Sequence, residues 1–473
     1  MINTNRAKGR LAAVLLAAVT ILGAVNVSPV EVSAKNKGKD HWPKKVSIDS
    51  PCAIAMEINT GTILYEKNAD EKHYPASITK ILTTLLAIEN SNMDDEVVFS
   101  EDAVFKNEGD TSHIFRDVGE KMTMEQTLYA VMLESANECA YQAAEYVGQS
   151  KGGDYRTFID MMNEKAKELG CKNTHFNNSN GLPDKEHYTS AYDMALISSA
   201  AYKNEEFRTI TGTKTYAIPP TNKHKDPTYL SNHHCVLHYH DTGKYINPYC
   251  TGGKTGFTKV ANSTLVTFAE KDGMSIVVVI MNANSPSHYI DTNKLINFCF
   301  NNFKVYNIAE NEKSIQVSST KNVGILNTSK PFVTLDESAY IILPNSVDFS
   351  EASFERDEDP EAGTVVSLKY TYSGREVGSV AIVTSGAKVT IDYFDKQQYK
   401  DDGIKVVRVK PIYAVGGVIL FILLIVAIIY LKKFYDDFYI IKHKRKVNRQ
   451  QRERFRAVRE RRRRPRKKDR MFK

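Results

Sequence analysis

The sequence predicts an α/β fold, a sheet flanked by helices, followed by a small all-β unit and one transmembrane helix. Three observations carry this. Apolar residues recur at helical spacing over 77–89, 124–132 and 155–169. Residues 274–281 are a nearly continuous apolar run, as expected of a strand covered on both faces. After about 310 the helical period vanishes and short alternating runs take over, until 412–431 offers 20 residues without a charge. A chain of 473 residues has room for two or three units, and 42% hydrophobic with 25% charged residues describes a globular protein rather than a disordered one.

Residues 1–34 read as a signal peptide. Arg6, Lys8 and Arg10 form a basic start, 11–25 is an apolar run short for a membrane span, and Val32-Ser33-Ala34 supplies small residues for cleavage after Ala34. An uncleaved N-terminal anchor is the competing reading; with either one, the domain after residue 34 is exported. Residues 35–45 are a Lys-rich linker. Strand-like runs at 53–58 and 62–65 flank the turn Asn59-Thr60-Gly61, a hairpin leading into the helix over 77–89, whose approach Pro75 stiffens. Residues 95–120 read as strands and loops. The helical pattern of 124–132 breaks at Glu134-Ser135-Ala136-Asn137 and resumes through Val147. A long helix over 155–169 ends at Gly170 as a C-cap, and helix returns at Ala191 after a loop. Thr251-Gly252-Gly253-Lys254-Thr255-Gly256-Phe257-Thr258 precedes strands at 263–268 and 274–281, so Lys254 is expected on or beside a sheet edge. A helix over 290–303 closes a unit spanning 46–305, and the all-β unit spans 310–405.

The C-terminal segment inverts the chain's apparent charge. Residues 432–473 hold twenty Lys or Arg against five Asp or Glu, so this tail carries about +15 of a total of +7 and leaves the rest near −8. The positive-inside rule puts the tail in the cytoplasm and residues 35–410 outside, with 412–431 crossing the membrane. The tail could bind anionic lipid headgroups, touch nucleic acid as arginine-rich runs do, or serve as a topology anchor with a disordered end.

Three short motifs carry candidate chemistry. Ser77 and Lys80 lie three apart at a helix start and so share one face. A lysine can take a serine's proton if burial or a neighbouring cation lowers its pKa. Ser135 and Asn137 sit between two apolar helices, where they read either as caps or as polar groups projecting into a cleft. Lys254-Thr255-Gly256 brings a charge and a hydroxyl to a glycine-lined strand. His175 and His187 lack the partner spacing zinc needs, and the group His233, His234, Cys235, His238, His240, though superficially metal-like in spacing, lies in a loop-like region before Tyr249, so no metal is expected. The six cysteines (52, 139, 171, 235, 250, 299) show no disulfide framework, and their pairing stays open.

The order Ser-x-x-Lys, Ser-x-Asn, Lys-Thr-Gly resembles the penicillin-recognising serine enzymes. More closely it is similar to the serine-type D-alanyl-D-alanine carboxypeptidases, the low-molecular-mass penicillin-binding proteins of peptidase family S11. Tyr74 to Lys80, Gly181-Leu182, His187 to Ala195 and Lys254 to Thr258 carry the likeness. It implies a β-lactamase/DD-peptidase-like antiparallel sheet flanked by helices, and no cofactor. It implies that Ser77 attacks the carbonyl between the terminal D-alanines of a peptidoglycan stem peptide and that Lys80 is the base. Ser135 would relay a proton to the leaving amine, and Asn137 would hold Lys80 and the substrate amide. Lys254 and Thr255 would bind the terminal carboxylate, while Gly256 and the Phe257 backbone complete the strand side, the Ser77 and Phe257 N–H groups forming an oxyanion hole. β-Lactams would acylate Ser77.

Departures from the family pattern are Ala136 where Gly is common, Phe257 where His or Tyr is usual, and Ala261-Asn262 where Ala-Gly is frequent. The competing readings are a DD-endopeptidase, a class A β-lactamase using Asp184 or Glu186 to activate the deacylating water, and a non-catalytic membrane-anchored wall-binding scaffold.

Overall fold

The computed structural model describes residues 40–106, 111–240, 242–312, 333–358 and 366–384. The readings of 1–34, 412–431 and 432–473 fall outside these residues. Among the described residues no helix is long and apolar enough to cross a membrane.

Strands β1 (Cys52–Glu57) and β2 (Ile63–Lys67) form the expected hairpin, closed by Gly61 at φ +71°. A 3-10 turn, Ala76–Thr79, runs directly into α1 (Lys80–Asn90), so the helix read from Ser77 onward begins one tight turn later. Next come β3 (Glu96–Val98), a five-residue helix α2 (Glu101–Phe105) capped by Ser100, and β4 (Lys121–Thr123). The region read as strands and loops thus holds one helix, too short to show a period. Helix α3 (Met124–Leu133) opens on a capping box between Thr123 and Gln126. Helices α4 (Asn137–Ser150) and α5 (Tyr155–Glu168) come next, the second stopped by Gly170 at φ +83°. Then come α6 (Ala191–Tyr202), α7 (Glu205–Gly212) and a hairpin of β5 (Thr215–Ile218) with β6 (Thr228–Ser231). The strands β7 (Cys250–Thr258), β8 (Asn262–Lys271) and β9 (Met274–Ala283) lead to α8 (Ser287–Asn302), which starts three residues before the expected helix.

Five strands form one antiparallel sheet in the order β2-β1-β9-β8-β7. Alternation along it sorts two cores. Ile54, Met56, Val266, Phe268, Val277, Val279 and Met281 face α1 and α3–α7. Ala53, Ala55, Leu265, Val278 and Ile280 face α8 through Leu295, Ile296 and Cys299. Strand β9 is therefore buried on both sides, which is why it reads as one apolar run. Strands β2 and β7 are the two edges of this sheet.

The chain continues without a break into the β-rich unit. Strand β10 (Phe303–Asn307) leaves α8 and pairs with β12 (Tyr340–Pro344), while β11 (Val333–Leu335), β13 (Ser353–Glu358), β14 (Val366–Tyr372) and β15 (Arg375–Thr384) form a second sheet in the order β11-β15-β14-β13. Strand β12 has a face in each core: Ile342 packs with the α8 layer, and Ile341 and Leu343 pack with Leu368, Tyr370 and Val380. The Tyr340 hydroxyl donates to Glu57 Oε1 at 2.8 Å and accepts from Asn59 Nδ2 at 2.7 Å, tying this strand to the first hairpin. All six cysteines are free.

Candidate active site

Three elements meet at Ser77. The turn Ala76–Thr79 carries it, half-buried, at the foot of α1. Ala76 stands at φ +52°, a left-handed conformation that costs an alanine about 1–2 kcal/mol, and surrounding contacts hold it there. From below, a Cβ on Gly181 would lie 1.9 Å from the Ala76 carbonyl oxygen. From the sheet, Thr264 Oγ1 donates to the Pro75 carbonyl at 2.8 Å, and a Cβ on Gly256 would lie 2.9 Å from the Ser77 nitrogen. Only glycine at 181 and 256 lets the loop and the edge strand approach this closely.

Lys80, the first residue of α1, is wholly buried. Its Nζ lies 3.2 Å from Ser77 Oγ, 2.7 Å from Asn137 Oδ1 and 2.6 Å from the Asn180 carbonyl. The last two are pure acceptors. A neutral amine has two N–H bonds and one lone pair, so both protons are committed and the lone pair faces the serine hydroxyl. Burial, then the charge of Lys254, pushes the Lys80 pKa well below the ordinary lysine value, with Glu138 opposing.

Asn137 is the first residue of α4 and not its cap; the N-cap is Ala136, with no side-chain cap bond. Its Oδ1 is on Lys80 and its Nδ2 donates to Thr111 Oγ1 at 2.8 Å. The cleft reading of this connection is thus the one realised. Ser135 adopts φ +59°, and its Oγ is buried with no hydrogen-bond partner among the described residues. Lys254 on β7 is 1% exposed and donates to the Thr255 carbonyl at 2.9 Å. Burial pulls its pKa down to about 7, against the pull of Glu134. Thr255 is half-buried beside it, and the Phe257 ring is 67% exposed at the strand's outer end. Asn262, where the resembling family often has Gly, takes φ +55°, and its Nδ2 donates to Asn282 Oδ1. The left-handed geometry is kept, because Asn tolerates it better than other side chains.

Ser77 and Lys80 lie on the Ala76–Thr79 turn and α1, Ser135 just before α4 and Asn137 at its start, and Lys254, Thr255, Gly256 and Phe257 on β7. Two contributors carry no clear sequence signal: the Asn180 carbonyl, which as backbone has no residue-type signature, and Glu134, marked only by its place before Ser135. Glu134 accepts from the Ser231 N–H at 2.7 Å and lies 3.0 Å from His233 Nε2. His187 is a packing group. Its Nδ1 accepts the Asn177 N–H, its Nε2 meets Thr79 Oγ1 at 2.9 Å, and burial lowers its pKa to about 3. Asp184 Oδ1 accepts the Glu186 N–H and the Glu186 side chain is exposed, so this pair closes a turn instead of facing Lys80.

The Lys254 geometry makes a prediction. A bound carboxylate favours the ammonium form, so it raises a pKa that starts at about 7. Binding of a carboxylate-terminated peptide near pH 7 is expected to take up protons, and affinity to fall as pH rises through about 7. Titration calorimetry in buffers of different ionisation enthalpy measures this; buffer-independent heats would contradict it.

A solved Streptomyces K15 DD-transpeptidase matches with 30% identity and a TM-score of 0.50, over 55% of this chain and all of its own. A D-alanyl-D-alanine carboxypeptidase DacD from Francisella tularensis shares the fold at 22% identity and a TM-score of 0.54, over 74% of this chain and 96% of its own. The D-alanyl-D-alanine carboxypeptidase DacF of Bacillus subtilis is 32% identical over 313 residues, 64% of this chain and 76% of its own length. The D-alanyl-D-alanine carboxypeptidase of Streptomyces sp. K15 is 32% identical over 266 residues, 54% of this chain and 89% of its own. Residues 38–285, which hold all three motifs and the sheet that aligns them, match the peptidase S11 model, so the chain belongs to the D-alanyl-D-alanine carboxypeptidase family.

Proposed function

We propose that this chain is an exported, membrane-anchored serine-type D-Ala-D-Ala carboxypeptidase that trims the terminal D-alanine from peptidoglycan stem peptides through an acyl-enzyme on Ser77. The observation that carries the mechanism is the bonding of Lys80: two acceptors hold its protons and its lone pair faces Ser77 Oγ at 3.2 Å. Ser77 Oγ attacks the carbonyl carbon of the terminal peptide bond as its proton passes to Lys80 Nζ. The Ser77 and Phe257 N–H groups stabilise the oxyanion, each contributing on the order of 3 kcal/mol. The C–N bond then breaks, and the proton returns from Lys80 through Ser135 Oγ to the departing D-alanine amine. The unpartnered, buried Ser135 hydroxyl suits a group whose partner arrives with the substrate. Lys80 next takes a proton from water, which attacks the acyl carbon; the acyl C–Oγ bond breaks, Ser77 Oγ takes that proton back from Lys80, and the shortened peptide leaves. Lys254 and Thr255 hold the terminal carboxylate that selects a chain end.

In this reading 412–431 spans a bacterial membrane, 432–473 is cytoplasmic and rests against anionic lipid, 46–305 is the catalytic domain and 310–405 a β-rich domain outside. The charge asymmetry of the sequence supports it. A DD-endopeptidase uses the same groups, and free pentapeptide against cross-linked dimer as substrate separates the two. The central test is mass spectrometry after penicillin treatment. One acyl adduct is expected, on the peptide holding Ser77, and none in Ser77→Ala; an adduct on another residue overturns the assignment.

A further inference from the structure

Behind Asn137 the polar network continues inward. Thr111 Oγ1, which accepts from Asn137 Nδ2, lies 3.2 Å from His113 Nε2. His113 Nδ1 lies 2.9 Å from Glu138 Oε2, and the other carboxylate oxygen accepts the Ile114 N–H at 2.7 Å. The His113 and Glu138 side chains are each 2% exposed. With the Lys80–Asn137 bond, five side chains make a continuous line from a buried carboxylate to the amine beside Ser77. Thr111, His113 and Glu138 have no part in the catalytic steps proposed for Ser77 and Lys80.

The line has a direction. An Asn amide has two ends of nearly equal shape, and turned over it would aim Nδ2 at Lys80, donor against donor. A threonine hydroxyl can donate or accept, so it fixes the amide only when its own proton is committed elsewhere. In a neutral His113 ring the Glu138 carboxylate keeps the proton on Nδ1, leaving Nε2 to accept the Thr111 proton. Thr111 then offers lone pairs to Asn137 Nδ2, and Asn137 offers Oδ1 to Lys80. Burial would push the Glu138 carboxyl up, but His113 and the N–H groups of Glu138 and Ile114 hold it below its ordinary value, so it is ionised. Its place in the first turn of α4 favours the same form.

We infer that Glu138 and His113 are a positioning pair for acylation, fixing the Asn137 amide through Thr111 and holding a negative charge behind Lys80. This rests on Ser77 being the nucleophile and Lys80 its base. The groups that face Lys80 are Lys254 from β7, Glu138 and Cys139 from α4, and His187 from the loop before α6. Burial keeps the Cys139 thiol protonated and His187 neutral. Lys254 and burial favour the neutral amine, and Glu138 is the charged group opposing them, keeping the base strong enough to take a proton.

The test is the rate of Ser77 acylation by a fluorescent penicillin as a function of pH, for the full-length protein and its Thr111→Val, Thr111→Ser and Glu138→Gln variants. Thr111→Val is expected to lower the limiting rate roughly ten- to hundredfold, as misplacement near a reacting centre does, without moving the acid limb. Thr111→Ser is expected to restore most of it. Glu138→Gln keeps an acceptor for Ile114 but loses the charge, so the acid limb should move to lower pH, because the Lys80 ammonium loses its counter-charge. Wild-type rates and limbs throughout would overturn the inference. So would equal losses in all three variants that track melting temperature with an unmoved limb, the mark of a packing role. Acylation persisting in Ser77→Ala would instead overturn the assignment of the nucleophile.

Discussion

Lys80→Met is expected to lower the rate of Ser77 acylation by about 10²- to 10⁴-fold, the range over which a positioned general base acts. Methionine fills the buried volume but has no lone pair basic enough to take the serine proton. It also leaves Asn137 Oδ1 and the Asn180 carbonyl without the donor they now share, at about 1–3 kcal/mol for each unsatisfied buried acceptor. Against that, the substitution removes an amine whose burial already disfavours its charge. The two effects oppose each other, so the melting temperature should change far less than the activity. Stopped-flow acylation read beside a thermal melt separates them. A rate within tenfold of wild type would mean that another group takes the proton.

Gly256→Ala should be almost as damaging, for a steric reason. A Cβ there would lie 2.4 Å from Thr264 Oγ1, 2.9 Å from the Ser77 nitrogen and 3.2 Å from Ala76 Cβ. The Ala76–Thr79 turn and β8 hold these atoms in place, so β7 has to move outward. That movement separates the Phe257 N–H from the Ser77 N–H. Losing one oxyanion donor costs on the order of 10²–10³ in rate. Some thermal stability should also go, since β7 must loosen from the turn. The discriminating readout is acylation of protein shown to be folded by near-ultraviolet circular dichroism. Normal acylation there would mean that the close approach of β7 is dispensable.

Much of this site is legible in the sequence because its residues are local. Ser77 and Lys80 are one turn apart, so spacing alone puts them on one face. Lys254 can be placed at a sheet edge because β8 and β9 come after it as apolar runs that leave no room for another neighbour. Asn137 is not decidable from its own stretch, since Asn after a helix break is chemically fit to cap the next one; what decides it is Lys80, 57 residues away. The hairpin of β5 and β6 and helix α7 escape for another reason. Helix α7 shows its apolar face through only two large residues, Phe207 and Ile210, and residues 213–231 are rich in Thr, Lys and Pro. They are held by tertiary contacts, such as the Thr211 hydroxyl donating to the Gly253 carbonyl. The Glu138–His113 pair gives no signal either, because a charged residue in a first helical turn reads as ordinary dipole compensation. In the β-rich unit alternation marks β11, β12, β14 and β15 but neither β10 nor β13, and it does not give the pairing of β10 with β12, because which strand takes which partner depends on the whole surface.

The shared strand β12 has a mechanical consequence. Its two faces belong to different cores, its edge is hydrogen-bonded to the strand leaving α8, and its first residue is fastened to Glu57 and Asn59. A load applied to the β-rich unit is therefore carried into the catalytic sheet by a ladder of backbone bonds and a side-chain clasp, not by a slack tether.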